Sequence, residues 1–249
     1  MLYNYLGNMD LQKISSYKME NRLELIARSY DKGIDSGRKG VDLYDELPER
    51  IKNDPDYPLF QKMKAESTLS DSGRKEIKEF LSPDINMRFI DLGCCLNLMF
   101  RGYDKWPSTY YGIDISGKTI QLLNEFVSKK NLSIGALRCE SIHKTSFDAG
   151  YFDIGACIGV LEYFEKGFIE KAITEAHRII KPYGKFVLDV PDAGSPEHRI
   201  TMLIEEYLGR PDMFNMPAKE FEEMLRGCFE IKNKEKAGPM IQYFLNCKK

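Results

Sequence analysis

The chain lacks a surplus of positive charge. It carries 36 Lys and Arg against 38 Asp and Glu, a formal net charge of −2, and its isoelectric point is about 6.0. Nucleic-acid-binding domains present a basic face, so no nucleic-acid partner is expected. No apolar run approaches the roughly 20 residues that span a bilayer, so no membrane partner is expected either. Met1 to Lys13 contains no apolar h-region, which speaks against a secretory signal. The six cysteines form no CxxC pair and no disulfide-like framework, and reduced thiols in a cytoplasmic protein are the expectation. Metal-ligand spacing is missing as well, so no metal is expected. There is no internal repeat and no low-complexity segment.

What is present is a chain of 249 residues with 43% hydrophobic content, enough for one sizeable core and a small appendage. Its organising stretch is Arg88-Phe89-Ile90-Asp91-Leu92-Gly93-Cys94-Cys95-Leu96-Asn97, an apolar strand that stops at a glycine. A second strand, Tyr110 to Ile113, ends on Asp114. About 20 residues separate Gly93 from Asp114, the distance at which a β-α-β unit sets an acid against the ribose of a nucleotide-like ligand held at the first turn.

Residues 1–82 read as a polar, helical lid. Leu11, Ile14, Met19, Leu23 and Ile26 recur at helical spacing until Asp31-Lys32-Gly33 and Ser36-Gly37 interrupt them. Further helices are predicted from about Leu59 to Leu69 and from about Ser72 to Leu81. Residues 83–249 read as the main domain. From Arg88 to Val190 strands alternate with helices, which argues for a parallel sheet with helices on both faces. Predicted elements include strand Ser133 to Cys139, strand Phe152 to Val160, helix Glu165 to Ile180 and strand Lys185 to Val190. A helical insertion spans 191–226. Strands Phe229 to Lys234 and Ile241 to Cys247 close the chain around a turn at Ala237-Gly238-Pro239.

Five segments, in order, resemble class I S-adenosylmethionine (SAM)-dependent methyltransferases, type 11-like. Asp91 and Gly93 match the Asp-x-Gly-x-Gly-x-Gly motif, with Cys95 and Asn97 in place of its second and third glycines. Gly112 to Ser116 resembles the ribose strand. Arg138 to Phe147 resembles the adenine loop. Phe152 to Tyr163 resembles motif IV, and Glu175 to Lys185 the helix, turn and strand after it. The resemblance implies an α/β, Rossmann-like, doubly wound and mostly parallel sheet with an antiparallel last strand. It also implies SAM as cofactor and S-adenosylhomocysteine as product. Asp114 then accepts from the ribose hydroxyls, with Ile115 beside it, since a carboxylate has two acceptor oxygens. Glu140, Ser141 and Ile142 meet the adenine. Asp91 and Gly93, with Cys94 and Cys95, form the turn under the methionine portion. Cys157, Ile158 and Gly159 wall the region of the sulfonium.

The reading is methyl transfer to a small-molecule nucleophile, N, O, S or C. In-line displacement asks for alignment and exclusion of water, which accounts for the absence of a visible triad. No catalytic residue is fixed; Tyr163 and His198 are the candidates for the acceptor pocket, and Tyr17, Arg28 and Tyr30 could close over the cofactor. His177 reads as structural and His143 as exposed. Asp189 and Asp192 flank a strand's carboxyl end, either as substrate contacts or as turn residues. A SAM-binding regulatory partner without transfer is the alternative, motivated by the two lost glycines. A nicotinamide oxidoreductase is disfavoured because a full Gly-x-Gly-x-x-Gly is missing.

Overall fold

The computed structural model describes residues 11–67 and 75–249, with side chains from 19 to 65 and from 75 onward. Helix α1 spans Leu11–Arg38, α2 Glu49–Lys52, α3 Tyr57–Ser67 and α4 Lys75–Leu81. The alternating part follows as β1 (Arg88–Leu92), α5 (Asn97–Phe100), β2 (Thr109–Asp114), α6 (Gly117–Lys130), β3 (Ala136–Cys139), β4 (Phe152–Cys157), α7 (Lys166–Ile179) and β5 (Ile180–Pro191). Then come α8 (Pro196–Tyr207), α9 (Ala218–Cys228), β6 (Phe229–Ala237) and β7 (Met240–Cys247).

The seven strands lie in the order β3-β2-β1-β4-β5-β7-β6. The first five are parallel. β7 runs antiparallel to both β5 and β6. This is the Rossmann-like, mostly parallel sheet that the sequence implied, with the reversed strand inserted inside the edge. Alternation along β5 divides the core: Phe186, Leu188 and Val190 face a cluster with α7 and α9, while Val187 faces a cluster with α4 and α6. Both faces are covered, so the central strands are apolar almost throughout.

Four expectations need correction. The lid helix does not break at Asp31-Lys32-Gly33; α1 continues for 28 residues. Tertiary contacts override the glycine, since Asp31 accepts from Ser116 Oγ at 2.5 Å and Asp35 pairs with Lys118 on α6. Between β1 and β2 there is only the single turn α5 and a 3₁₀ turn, Tyr103–Lys105. Phe89, Tyr103, Trp106 and Tyr110 fill that space with ring centroids 4.7–6.2 Å apart. The strand predicted to start at Lys185 starts five residues earlier, since β5 begins at Ile180 and Tyr183 takes a left-handed φ of 66° inside it. Finally, β4 stops at Cys157, three residues before the predicted end, where Gly159 turns with φ 71°. Leu69 and Ser72, where two predicted helices end and start, lie outside the described residues.

Candidate functional site

A cleft opens at the carboxyl ends of β1, β2, β3 and β4, where open α/β sheets take ligands. The empty space in and in front of it, open solvent included, amounts to about 530 Å³. The sheet contributes Gly93, Cys95, Asp114, Ile115 and the run Glu140 to Ile142. Ile158, Gly159 and Val160 follow β4, and Tyr163, Phe164 and Phe168 close that side. Leu23, Ile26 and Tyr30 of α1 lie across the cleft.

The floor is built by the turn after β1. Gly93 has φ 73°, and a Cβ there would stand 2.4 Å from Val160 Cγ2, so only glycine lets the chain pass. Cys95, at the second glycine position, also takes a left-handed φ of 40°. That geometry aims its N–H at Asp114 Oδ2, 2.8 Å away. Ser116 N–H donates to Asp114 Oδ1 at 2.8 Å. Each Asp114 oxygen thus holds one backbone donor and keeps a lone pair for a ligand hydroxyl. Burial raises the Asp114 pKa, opposed by those two bonds. Burial and the Asp114 charge push the Cys95 thiol up to about 12, so it is a neutral wall at neutral pH.

Three of the predicted residues lie beneath the floor. Asp91 is 0% exposed and holds Asn97 Nδ2 at 3.1 Å and the Tyr110 hydroxyl at 3.0 Å. Burial lifts its pKa to about 6 against those bonds. Asn97, in the third glycine position, passes the network on by accepting from Arg101 Nε at 2.9 Å. Cys94 and Cys157 are buried in the two core clusters. Glu140 borders the cleft, but its carboxylate is turned to its own loop, accepting from Ser146 N at 2.9 Å. The same loop is tied to α7 by Glu175, which accepts from Thr145 N at 2.7 Å and pairs with Arg178. His143 is half-buried rather than exposed; it bonds Ser141 Oγ at 2.6 Å and its ring lies 4.9 Å from that of Phe168. His177 packs edge-on against Phe229.

On the other side of the cleft, Tyr163 links three elements. Its hydroxyl accepts from Tyr30 at 3.1 Å and donates to Glu205 at 3.2 Å, while its carbonyl accepts from Arg22 Nε at 2.9 Å. Glu205 is paired with Arg210, which also reaches the Tyr44 hydroxyl at 3.1 Å. His198 is 4% exposed and sits behind this wall, outside the cleft. Arg28 pairs with Glu24 on the outer face of α1, and the Tyr17 side chain lies outside the described residues. Glu162, Arg22 and the Glu205–Arg210 pair escaped sequence reasoning. Glu162 stood inside a recognised motif, next to Tyr163, but nothing in the sequence marks that acid as buried.

Residues 90–188 match the protein family described as "Methyltransferase domain". A sterol 4-C-methyltransferase of Caenorhabditis elegans is 26% identical over 167 residues, covering 63% of this chain and 48% of that protein. The chain thus spans about half the length of that curated relative. Among solved structures, a Pyrococcus horikoshii OT3 protein superposes with a TM-score of 0.60 at 18% identity, covering 82% of this chain and 100% of the other. Geranyl diphosphate C-methyltransferase from Streptomyces coelicolor A3(2), solved with Mg2+, geranyl-S-thiolodiphosphate and S-adenosylhomocysteine, gives 0.57 at 12% identity, covering 70% and 74%. Residues 90–188 are thus similar to methyltransferase domains, and the fold of the sheet around them is shared with these solved structures.

Proposed function

We propose that the protein transfers the methyl group of SAM to a small-molecule acceptor. The observation that carries this reading is the Asp114 carboxylate, lining the cleft with one backbone donor on each oxygen. Two free lone pairs at the end of β2 suit the two hydroxyls of a ribose. Ile115, Ile142, Phe164 and Phe168 offer an apolar slot for an adenine. Gly93 and Cys95 form the floor under the methionine portion, and Ile158 and Gly159 wall the sulfonium region. SAM supplies an activated methyl on a positively charged sulfur, and the protein's task is alignment and exclusion of water. Residues 1–82 act as the lid and the insertion 191–226 as the acceptor side. A cleft crossed by Leu23, Ile26 and Tyr30 suits a small acceptor better than a polymer. The relatives' names, a sterol and a geranyl diphosphate methyltransferase, agree with an acceptor of that size.

Calorimetric and thermal-shift titrations with SAM, S-adenosylhomocysteine and NAD test the reading. A ligand at a hundred times its dissociation constant stabilises the fold by about 2.7 kcal/mol. Stabilisation by the first two and not by NAD is expected. Binding without turnover on any acceptor would favour a regulatory SAM-binding role, for which the Cys95 and Asn97 replacements are the motive.

A further inference from the structure

Behind the cleft wall lies a second group of buried ionisable side chains, and its hydrogen bonding is incomplete. Glu162 is 9% exposed, and its Oε2 has no hydrogen-bond partner. Its Oε1 stands 3.8 Å from where a Cβ on Gly159 would sit, and Gly159 lines the cleft. The N–H groups of Met213 and Phe214 donate to the Glu162 carbonyl at 2.8 and 3.0 Å. Those bonds bring Asp212 alongside. Asp212 Oδ2 is 3.8 Å from His198 Nδ1, with both side chains 5% exposed. That distance is beyond a hydrogen bond, and Asp212 Oδ1 and His198 Nδ1 are both unpartnered.

An unsatisfied buried polar group costs about 1–3 kcal/mol, so three in one place call for an explanation. The nearby cations are committed elsewhere: Arg210 to Glu205, and Arg22 to the carbonyls of Tyr163 and Pro211. Among the described residues no group of three His, Cys, Asp or Glu is placed to hold a metal ion. A ligand group with several N–H donors and a positive charge would complete these acceptors and stabilise their ionised forms. Tyr30 and Tyr163, ring centroids 6.2 Å apart on the cleft wall, add aromatic surface that suits a cation.

We propose that Glu162, with Asp212 beside it, is the acceptor-binding carboxyl pair, and that the acceptor is a small amine on an apolar or aromatic body. This rests on the methyl-transfer reading above. Burial, reinforced by Asp189, Asp212 and Glu205, holds the Glu162 pKa well above the carboxylate range, and burial with Glu205 raises Asp212 to about 7. An entering ammonium ionises Glu162, whose proton leaves to water. One ammonium proton then passes to Glu162 and frees the nitrogen lone pair. Methyl transfer forms the nitrogen–carbon bond as the sulfur–carbon bond breaks, with sulfur keeping the electron pair. The product is the methylated ammonium, with Glu162 again protonated.

The test is calorimetry on the protein saturated with S-adenosylhomocysteine. Hexylamine, phenethylamine and tyramine are compared with hexanol, 2-phenylethanol and tyrosol, followed by a methyl-transfer assay that also includes geranyl diphosphate. Amines should bind roughly ten- to a hundredfold tighter than their alcohols, the worth of a hydrogen bond to a charged group. Glu162→Gln should remove that preference and leave S-adenosylhomocysteine affinity unchanged. Asp212→Asn carries the same expectation if the first variant does not fold. Equal binding of amines and alcohols, no binding of any amine, a preference that survives both variants, or methylation of geranyl diphosphate but of no amine overturns the inference. Failure of S-adenosylhomocysteine itself to bind overturns the methyl-transfer reading instead.

Discussion

The two sides of the cleft handle buried acids in opposite ways. On the β2–β3 side every carboxylate has donors: Asp114 from Cys95 and Ser116, Glu140 from Ser146, and Glu175 from Thr145 and Arg178. On the Tyr163 side, Glu162, Asp212 and His198 each keep a buried atom without a partner. Satisfied groups fix geometry, and unsatisfied ones store a cost that a ligand can relieve. The first side is therefore preformed for its ligand, and the second is completed by one.

The contrast can be broken at several points. The largest effect is expected from Gly93→Val, which sets a branched side chain at φ 73° against Val160. Overpacking and left-handed strain together should cost about 3 kcal/mol or more, visible as a fall in Tm and loss of SAM binding. Asp114→Ala should weaken SAM binding by more than tenfold, roughly 1.5–3 kcal/mol, because two hydroxyl partners are lost. Calorimetry reads this directly, and unchanged affinity would remove Asp114 from the site.

The two sides should also respond oppositely to pH. Hydrogen bonds from Arg178 and Thr145 outweigh burial at Glu175 and hold it near 2, below its ordinary 4.5. The stability it contributes is complete above about 4.5 and is lost as pH falls toward 2. Asp212 is raised from 3.8 to about 7. The unfolded chain gives up that proton first, so stability declines as pH climbs through that window. Asp212→Asn should flatten the neutral limb of a Tm–pH curve and Glu175→Gln the acid limb, by a few kcal/mol at most. The smallest effect is expected from Cys95→Gly. It relieves a left-handed side chain worth about 1 kcal/mol, so Tm and SAM affinity should hold or rise slightly. A collapse of binding would give the thiol a direct role.

The preformed side was the legible one. Gly93 and Asp114 stand out because a positive φ and a strand-end acid leave marks in a sequence at fixed spacing. Tyr163 was legible as a neighbour of motif IV. The rest depends on segments that meet only in three dimensions: the N–H groups of Met213 and Phe214, about 50 positions along the chain, donate to the Glu162 carbonyl and bring the neighbouring Asp212 to it. The uninterrupted α1 was hidden for a related reason. Its glycines argue locally for a break, and only its contacts with α6 and Tyr163 outweigh them.

That helix couples the two sides. At 28 residues and 1.5 Å per residue it is about 42 Å long. Asp31 grips Ser116 two residues from Asp114, while Arg22 and Tyr30 grip Tyr163 one residue from Glu162. A motion of α1 that admits one ligand must loosen the anchorage beside the other. Whatever free energy one ligand spends or gains in seating α1 is shared with the second, and the linkage acts equally in both directions. The affinity for either ligand should therefore change by the same factor when the other is bound.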